Sequence, residues 1–372
     1  MKNLILTLLL LATIPSLGQD HNHTFGRKIS FPNVPGYITV KCDFHIHTVF
    51  SDGSVWPDIR VMEAEKDGLD VISLTEHLEY QPHKEDIPHP NRNRSYDLAT
   101  KLAANKNLMV VRGSEITRKM PPGHNNAIFI QDANKLLLDD AYEVFKEANQ
   151  QGAFTFWNHP AWLSQRPDGI VRSEGLQNRL IDEKLLHGIE VVNGQMYSDE
   201  ALQLALDKNL TIMGTSDVHG LIDFDYAPEH GGHRPITLVL AKEKTEASIK
   251  EALFAGRTVV WYKNMLVGKE ENVAPLILAS LSFVDANYRP EQQVLNVTIK
   301  NSSDTEYMLK NKSGYTFHGD ADVITIPRQS QLKIQVKTLK QLNQVDLKFE
   351  VLNAVIAPEK HPDVLFSITP SR

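Results

Sequence analysis

The chain has a single cysteine, Cys42, among its 372 residues. No intrachain disulfide can staple it, and any metal must be held by His, Asp and Glu. Cys42 lies in an apolar run and reads as a small core residue. A long basic tract is also missing, and the formal net charge is −7, so nothing suggests a polyanion-binding surface. No internal repeat or low-complexity stretch breaks the chain. After the first twenty residues, no apolar run approaches the ~20 residues needed to span a bilayer.

With 41% hydrophobic and 23% charged residues, the bulk of the chain is expected to fold. Its length suits one large domain plus a small one. Residues 1–19 differ from the rest. Lys2 precedes a short apolar stretch, and Ser16 and Gly18 supply small residues near a cleavage point. This is the pattern of a secretory signal peptide, so a secreted or periplasmic location is expected, with no membrane span after cleavage. Residues 19–27, with His21 and His23, read as a polar tail.

Short apolar runs follow at 38–44, 70–74, 108–111, 127–130, 153–157, 188–192, 211–214 and 236–240. Most read as buried parallel strands. Helical patterns lie between them. The one at 57–66 opens on Pro57 and stops at Gly68. Others are expected at 95–105, 138–148, 198–208 and 245–255. Such alternation predicts an α/β barrel or wound sheet over residues 28–264. From about Ala274 the pattern changes to β-type runs at 276–284, 294–299, 307–310, 322–326, 332–336 and 345–352. Residues 275–372 are therefore expected to form a small all-β sandwich, Ig-like in type.

The residues suited to chemistry recur at one place in this pattern. His45 and His47 are two apart on a strand and share a face. Thr75-Glu76-His77 ends the second run, and Gly113-Ser114-Glu115 the third. His124 precedes the fourth run, His159 ends the fifth, and Asp217 and His219 follow the seventh. Active sites of barrels and wound sheets form beyond the carboxyl ends of strands. Any one of these residues could be a solvated loop residue, but that reading does not account for the set.

The motifs His45-x-His47, Ser51-Asp52-Gly53, Thr75-Glu76-His77, Gly113-Ser114-Glu115 and Asp217-x-His219 resemble those of the polymerase and histidinol phosphatase (PHP) family of metal-dependent phosphoesterases. The resemblance runs from about Tyr37 to Lys263. It implies a distorted (β/α)7 TIM-like barrel and three divalent metals among zinc, iron and manganese. It implies that His45, His47, Glu115 and Asp217 hold the first metal. Glu115, His124 and His159 would hold the second, and Asp52, His77 and His219 the third. Where Glu76 stands, Asp is commoner in the family. Glu76 either orients His77 or is a plain solvated carboxylate.

Three divalent ions carry about +6; Asp52, Glu115, Asp217 and a bridging hydroxide would leave about +2, which suits a phosphate ester. The expected reaction is hydrolysis of a small phosphorylated substrate by the metal-bridging hydroxide, with Asp217 or His219 protonating the leaving oxygen. Arg118, Lys119, His233 and Arg234 lie in loops beside the ligands. They either meet substrate phosphate or are ordinary solvated charge; Arg118 and Arg234 are the substrate candidates. Trp157 and Trp162 flank His159 and either stack on a base or sugar or, as is expected first, pack in the core. Glu190 and Asn193 are expected to support the ligands from behind. The alternatives are a PHP-type nuclease acting on short oligonucleotide ends, and a metal-containing binding module without catalysis. Long nucleic acid is not expected as a partner.

Overall fold

A computed structural model describes residues 28–371. The signal-peptide expectation for residues 1–19, and His21 and His23, lie outside the described residues. Among the described residues, no helix is long and apolar enough to cross a membrane.

The first sheet begins with β1 (Ile38–Ile46), β2 (Val71–Leu74), β3 (Met109–Ile116), β4 (Asn125–Ile128), β5 (Phe154–Trp157) and β6 (Gly188–Asn193). It continues through β7 (Met196–Tyr197), β8 (Thr211–Thr215), β9 (Ile236–Ala241), β10 (Thr258–Tyr262) and β11 (Met265–Gly268). The helices α1 (Pro57–Asp67), α2 (Arg94–Ala103), α3 (Ala141–Gln150), α4 (Gly175–Asp182), α5 (Asp199–Asp207), α6 (Ile222–Tyr226) and α7 (Glu246–Phe254) lie between strands. Their ends follow the capping chemistry in the sequence. Pro57 opens α1, and Gly68 closes it at φ +71°, where its N–H reaches the Ala64 and Glu65 carbonyls. Asp140, Ser198 and Thr245 each accept a backbone N–H at the start of α3, α5 and α7.

The strands are not mostly parallel. β1–β2, β2–β3, β5–β6 and β6–β8 pair in parallel, whereas β3–β4, β4–β5, β1–β9 and β9–β10 are antiparallel. The connection 117–124 is shorter than the roughly dozen residues a parallel crossover needs, so β3 and β4 form a hairpin with no helix between them. What results is a mixed, curled sheet rather than a plain run of βα units. Apolar runs alone could not reveal this, because a strand buried on both faces looks the same in either direction.

The curl brings β8 back towards β1. Ile46 and Val218 form a parallel bridge. Lower down, threonines substitute for the ladder. Thr237 on β9 bonds both the N–H and the C=O of Gly214, at 3.0 and 2.8 Å, and Thr258 on β10 donates to the Ile212 carbonyl at 2.7 Å. Only a residue without a side chain fits at 214, since a Cβ there would lie 2.2 Å from Val260 Cγ1.

Helix α8 (Glu270–Ser280) leads into the second half of the chain. The sequence reading placed a strand from 276. Pro275, which usually breaks helices, sits inside α8, while Val273, Leu276, Ile277 and Ser280 are buried at helical spacing. Then come β12 (Leu281–Tyr288), β13 (Val294–Asn301), β14 (Tyr307–Asn311), β15 (Thr316–Phe317), β16 (Val323–Ile326), β17 (Gln331–Lys337), β18 (Val345–Val351), β19 (Ala354–Val355) and β20 (Asp363–Ile368). They form two four-stranded antiparallel sheets, ordered β12-β13-β17-β15 and β16-β14-β18-β20. Alternate residues such as Val297, Ile299 and Val336 on one sheet, and Leu309, Leu347 and Phe349 on the other, are buried. β19 leaves this pair to extend the first sheet beside β11, so one apolar core runs through α8 into both halves.

Replacing Gly214 by Ala is expected to lower stability by about 1–3 kcal/mol through overpacking against Val260, read as a lower urea midpoint. An unchanged midpoint would mean that β8 is not pressed against β10 as described.

Candidate metal centre

His45 and His47 emerge together at the carboxyl end of β1, with their Nε2 atoms 3.0 Å apart. Asp217 meets both, since its Oδ1 lies 3.1 Å from each Nε2. Glu115 ends β3 beneath them. Its Oε1 lies 3.1 Å from His124 Nδ1, 3.4 Å from His159 Nε2 and 3.5 Å from His45 Nε2, and its Oε2 touches His77 Nδ1. Asp52 closes the other side, 3.1 Å from His219 Nε2 and 3.3 Å from His77 Nε2. All nine residues expected as ligands from the sequence therefore converge.

Three groups among them have donor atoms within 4.8 Å of one another and can hold a metal: His45, His47 and Asp217; His77, Glu115 and His124; and His47, Asp52, His77 and His219. His159 stands at the edge of the second group, while His47 and His77 each belong to two groups. The three groups thus lie side by side.

The imidazoles are held in the form a metal requires. Glu190 Oε1 accepts from His45 Nδ1 at 2.8 Å, which leaves the Nε2 lone pair facing the cluster. The Ser51 hydroxyl donates to Glu76 Oε2 at 2.6 Å, so its oxygen accepts from His47 Nδ1 at 3.2 Å. His219 Nδ1 donates to the Asp217 carbonyl at 2.8 Å. Glu76 thus neither orients His77 nor faces solvent. It is buried and organises Thr48 and Ser51 in the loop that carries His47 and Asp52.

Two ligands adopt backbone conformations that few non-glycine residues tolerate: Asp217 at φ +49° and His159 at φ +28°. Such strain costs of order 1–3 kcal/mol and persists only where the surroundings enforce it. The Asp217 N–H donates to the His45 carbonyl at 2.9 Å, and Asp43 clamps the preceding Ser216 through its N–H and hydroxyl at 3.1 and 2.6 Å. The His159 N–H donates to Glu190 Oε2 at 2.6 Å. Glu190 also takes Thr215 Oγ1 at 2.5 Å and Asn193 Nδ2 at 2.9 Å, so one carboxylate ties together β1, β5, β6 and β8.

Burial opposes charging His45, yet Asp217, Glu190 and Glu115 overcome it and raise its pKa to about 10. His77 rises to about 11 in the same way, against burial, beside Glu115 and Asp52. Burial dominates at His47, with His77 and His219 adding repulsion, and pushes it down to about 3. Glu115 and Asp217 stay well below the carboxylate range despite burial, because imidazoles surround them. Oδ1 of Asp52, Oε2 of Glu115 and Oδ1 of Asp217 are buried and face only imidazole nitrogens. Ionised carboxylate oxygens converging with imidazole nitrogens fit divalent cations, and a nitrogen–oxygen donor set without thiolate suits zinc, iron or manganese.

The centre opens through a cleft of about 280 Å³ lined by Asp52, His77, His124, His159, Trp162, Asn193, Met196, Asp217 and His219. The two proposed substrate arginines do not line it. Arg234 is fully buried, with Asp67 at 2.7 Å and Asp43 at 3.2 Å; two carboxylates satisfy its charge inside the fold. Arg118 is paired with Glu79 at 2.7 Å and donates to the Asp139 and Leu138 carbonyls. Trp157 is buried as expected, but Trp162 is 38% exposed and edges against His124 and His159. The sequence reading missed Arg60, which lies buried under the site and donates to the carbonyls of His47, Val218 and Gly220. Its place in an amphipathic helix gave no sign of that role.

A structure of a two-domain protein from Bacteroides vulgatus, containing a predicted PHP-like metal-dependent phosphoesterase, matches this chain at 42% identity and a TM-score of 0.85. The match covers 92% of this chain and 98% of that one. The chain belongs to the PHP-like metal-dependent phosphoesterases. The family model for an Ig-like domain matches residues 281–367 of this phosphoesterase. A lesion-specific endonuclease from Pyrococcus furiosus aligns at 17% identity and a TM-score of 0.43, over 62% of this chain and 59% of its own. An amidohydrolase from Chromobacterium violaceum aligns at 16% and 0.36, over 48% and 87%. No curated protein matches the chain.

Because Glu190 fixes the His45 tautomer, Glu190→Gln is expected to weaken metal binding about 10–100-fold. Titration of the metal-stripped protein with Zn²⁺ or Mn²⁺ reads this directly. Unchanged affinity would mean that His45 does not depend on Glu190.

Proposed function

We propose that this PHP-like hydrolase is a secreted or periplasmic phosphoesterase acting on a small phosphate ester at a trinuclear metal site. The observation that carries the proposal is the convergence of nine His, Asp and Glu side chains in and beside three adjoining groups, with the Glu115 carboxylate central, at the floor of a small open cleft. Adjacent sites with common ligands suit several cations acting on one phosphoryl group. In this reading His45, His47, Glu115 and Asp217 hold the first ion. Glu115, His124 and His159 hold the second, and Asp52, His77 and His219 the third. The curled sheet, from β1 to β11, is then a distorted barrel, and the two four-stranded sheets between 281 and 368 are a β-sandwich packed against it through α8 and β19.

Bound divalent ions would supply water acidified towards neutral pH and neutralise charge on the phosphoryl oxygens. The chain's own residues do the rest. Glu190, Ser51 and the Asp217 carbonyl keep the imidazoles in one tautomer and orientation, so the site needs little reorganisation during reaction. His219 is half exposed at the cleft mouth and hydrogen-bonded to the Asp217 backbone. Proton transfer to the departing alcohol would fall to His219 or Asp217 once that side chain leaves its ligand position. Water adds to phosphorus, the P–O bond to the alcohol breaks, and phosphate and alcohol leave. The cleft volume fits one small ester or a short chain end rather than a long polymer.

Purified protein is expected to carry two to three transition-metal ions per chain and to hydrolyse an aryl phosphate monoester or diester. His45→Ala and Asp217→Ala are each expected to cut the rate at least about a hundredfold, ~2.7 kcal/mol in the barrier, and to lower the metal content. Full activity in either variant, or in the metal-free protein, would overturn the reading.

A further inference from the structure

The floor of the cleft is all ligand, but its rim is not. Trp162, in the loop after β5, and Met196, at the start of β7, both line it, 38% and 44% exposed. The indole meets His124 at 5.5 Å and His159 at 5.1 Å between ring centroids, so it stands directly over two ligands. Its backbone is fixed in advance. The Trp162 N–H donates to the His159 carbonyl at 2.9 Å, and the Trp162 carbonyl takes the N–H groups of Gln165 and Arg166 at 2.9 and 2.8 Å. Met196 sits across from Asn193 in the β6–β7 hairpin.

Among the described residues, no Lys or Arg lines the cleft. The nearby cation expected from the sequence, Arg118, already serves Glu79 and two carbonyls. A second phosphate or a carboxylate on the substrate would therefore find no partner at the rim, and would lose hydration without repayment. A phosphoryl group seated on the ligands must direct its ester substituent outward past the rim. There it meets a partly exposed indole and a polarisable thioether, surfaces that take up flat apolar groups.

We propose that the site selects phosphate esters of an uncharged, flat alcohol, an aryl, benzyl-type or neutral nucleoside group, with Trp162 as the specificity-determining residue. The phosphoryl end rests on the phosphoesterase reading; the aromatic seat rests on Trp162.

The test uses full-length protein reconstituted with Mn²⁺ and two pairs of probes. Benzylphosphonate and ethylphosphonate report binding by calorimetry. Benzyl and ethyl phosphate, as monoesters and as methyl diesters, report hydrolysis with alcohols of similar acidity. Benzylphosphonate is expected to bind about tenfold tighter than ethylphosphonate, about 1.4 kcal/mol. Trp162→Ala should erase that gap, leaving ethylphosphonate binding and metal content unchanged, and Trp162→Phe should restore most of it. In hydrolysis, Trp162→Ala should raise KM for the benzyl ester and leave kcat nearly unchanged. Equal binding of the two phosphonates, or an equal loss for both in Trp162→Ala, would overturn the proposal. If no ester is hydrolysed but the Trp162-dependent preference for benzylphosphonate persists, the phosphoesterase reading falls and the aromatic seat stands.

Discussion

The metal centre depends on two backbone hydrogen bonds. The Asp217 N–H donates to the His45 carbonyl at 2.9 Å, and the His47 N–H donates to the Val218 carbonyl at 3.1 Å. Together they lace the segment after β8 to the end of β1 and complete the curl of the sheet. They also put Asp217 into the left-handed region, where its carboxylate points at both Nε2 atoms rather than away from them. Strain of that kind needs an enforcing frame. Asp43 supplies it by holding Ser216, and Arg60 by holding the His47, Val218 and Gly220 carbonyls from below. Fold closure and ligand placement are thus one event.

The same economy governs charge. Glu115 and Asp217 are buried among imidazoles, and a buried carboxylate without compensation would be protonated. Each is instead kept ionised by several His neighbours. Glu190 is a third buried carboxylate, but with four donors on its two oxygens it organises the site and has no capacity left for a metal. The distinction between ligand and support is therefore visible in the partners: Asp52, Glu115 and Asp217 each turn a buried oxygen to imidazole nitrogens alone, whereas both oxygens of Glu190 are taken by hydroxyl, amide and backbone donors besides His45.

How much of this the sequence could tell depended on the range of the interactions. Ligand positions were legible because each lies at a strand end, and strand ends are marked locally by apolar runs giving way to His, Asp or Glu. Helices with local caps, such as α1 and α5, were legible for the same reason. The antiparallel β3–β4 and β1–β9 pairs were not, because strand direction is fixed by which partner a buried strand meets. Helix α8 was hidden by Pro275 within an apolar run of ambiguous period. Arg234 read as a substrate residue from its place in a Gly-rich loop, but its partners Asp43 and Asp67 are far away in sequence, and burial is what decides its role. Trp162 went astray the other way: an aromatic beside a ligand reads as core until its exposure is known.

Those cases share a physical cause. Cations near the centre have been recruited to hold the fold: Arg60 and Arg234 lie beneath the ligands, and Arg118 beside them, each with its charge paired to a carboxylate. A guanidinium spent on a fixed partner keeps the ligand-bearing loops in place but offers nothing to a substrate oxyanion. Recognition of the phosphoryl charge then falls to cations held by the His, Asp and Glu set, and recognition of the remainder of the substrate falls to the neutral rim. Metal loss in such a site would remove both the nucleophile's activation and the attraction for the anion, so binding and turnover should fail together rather than separately.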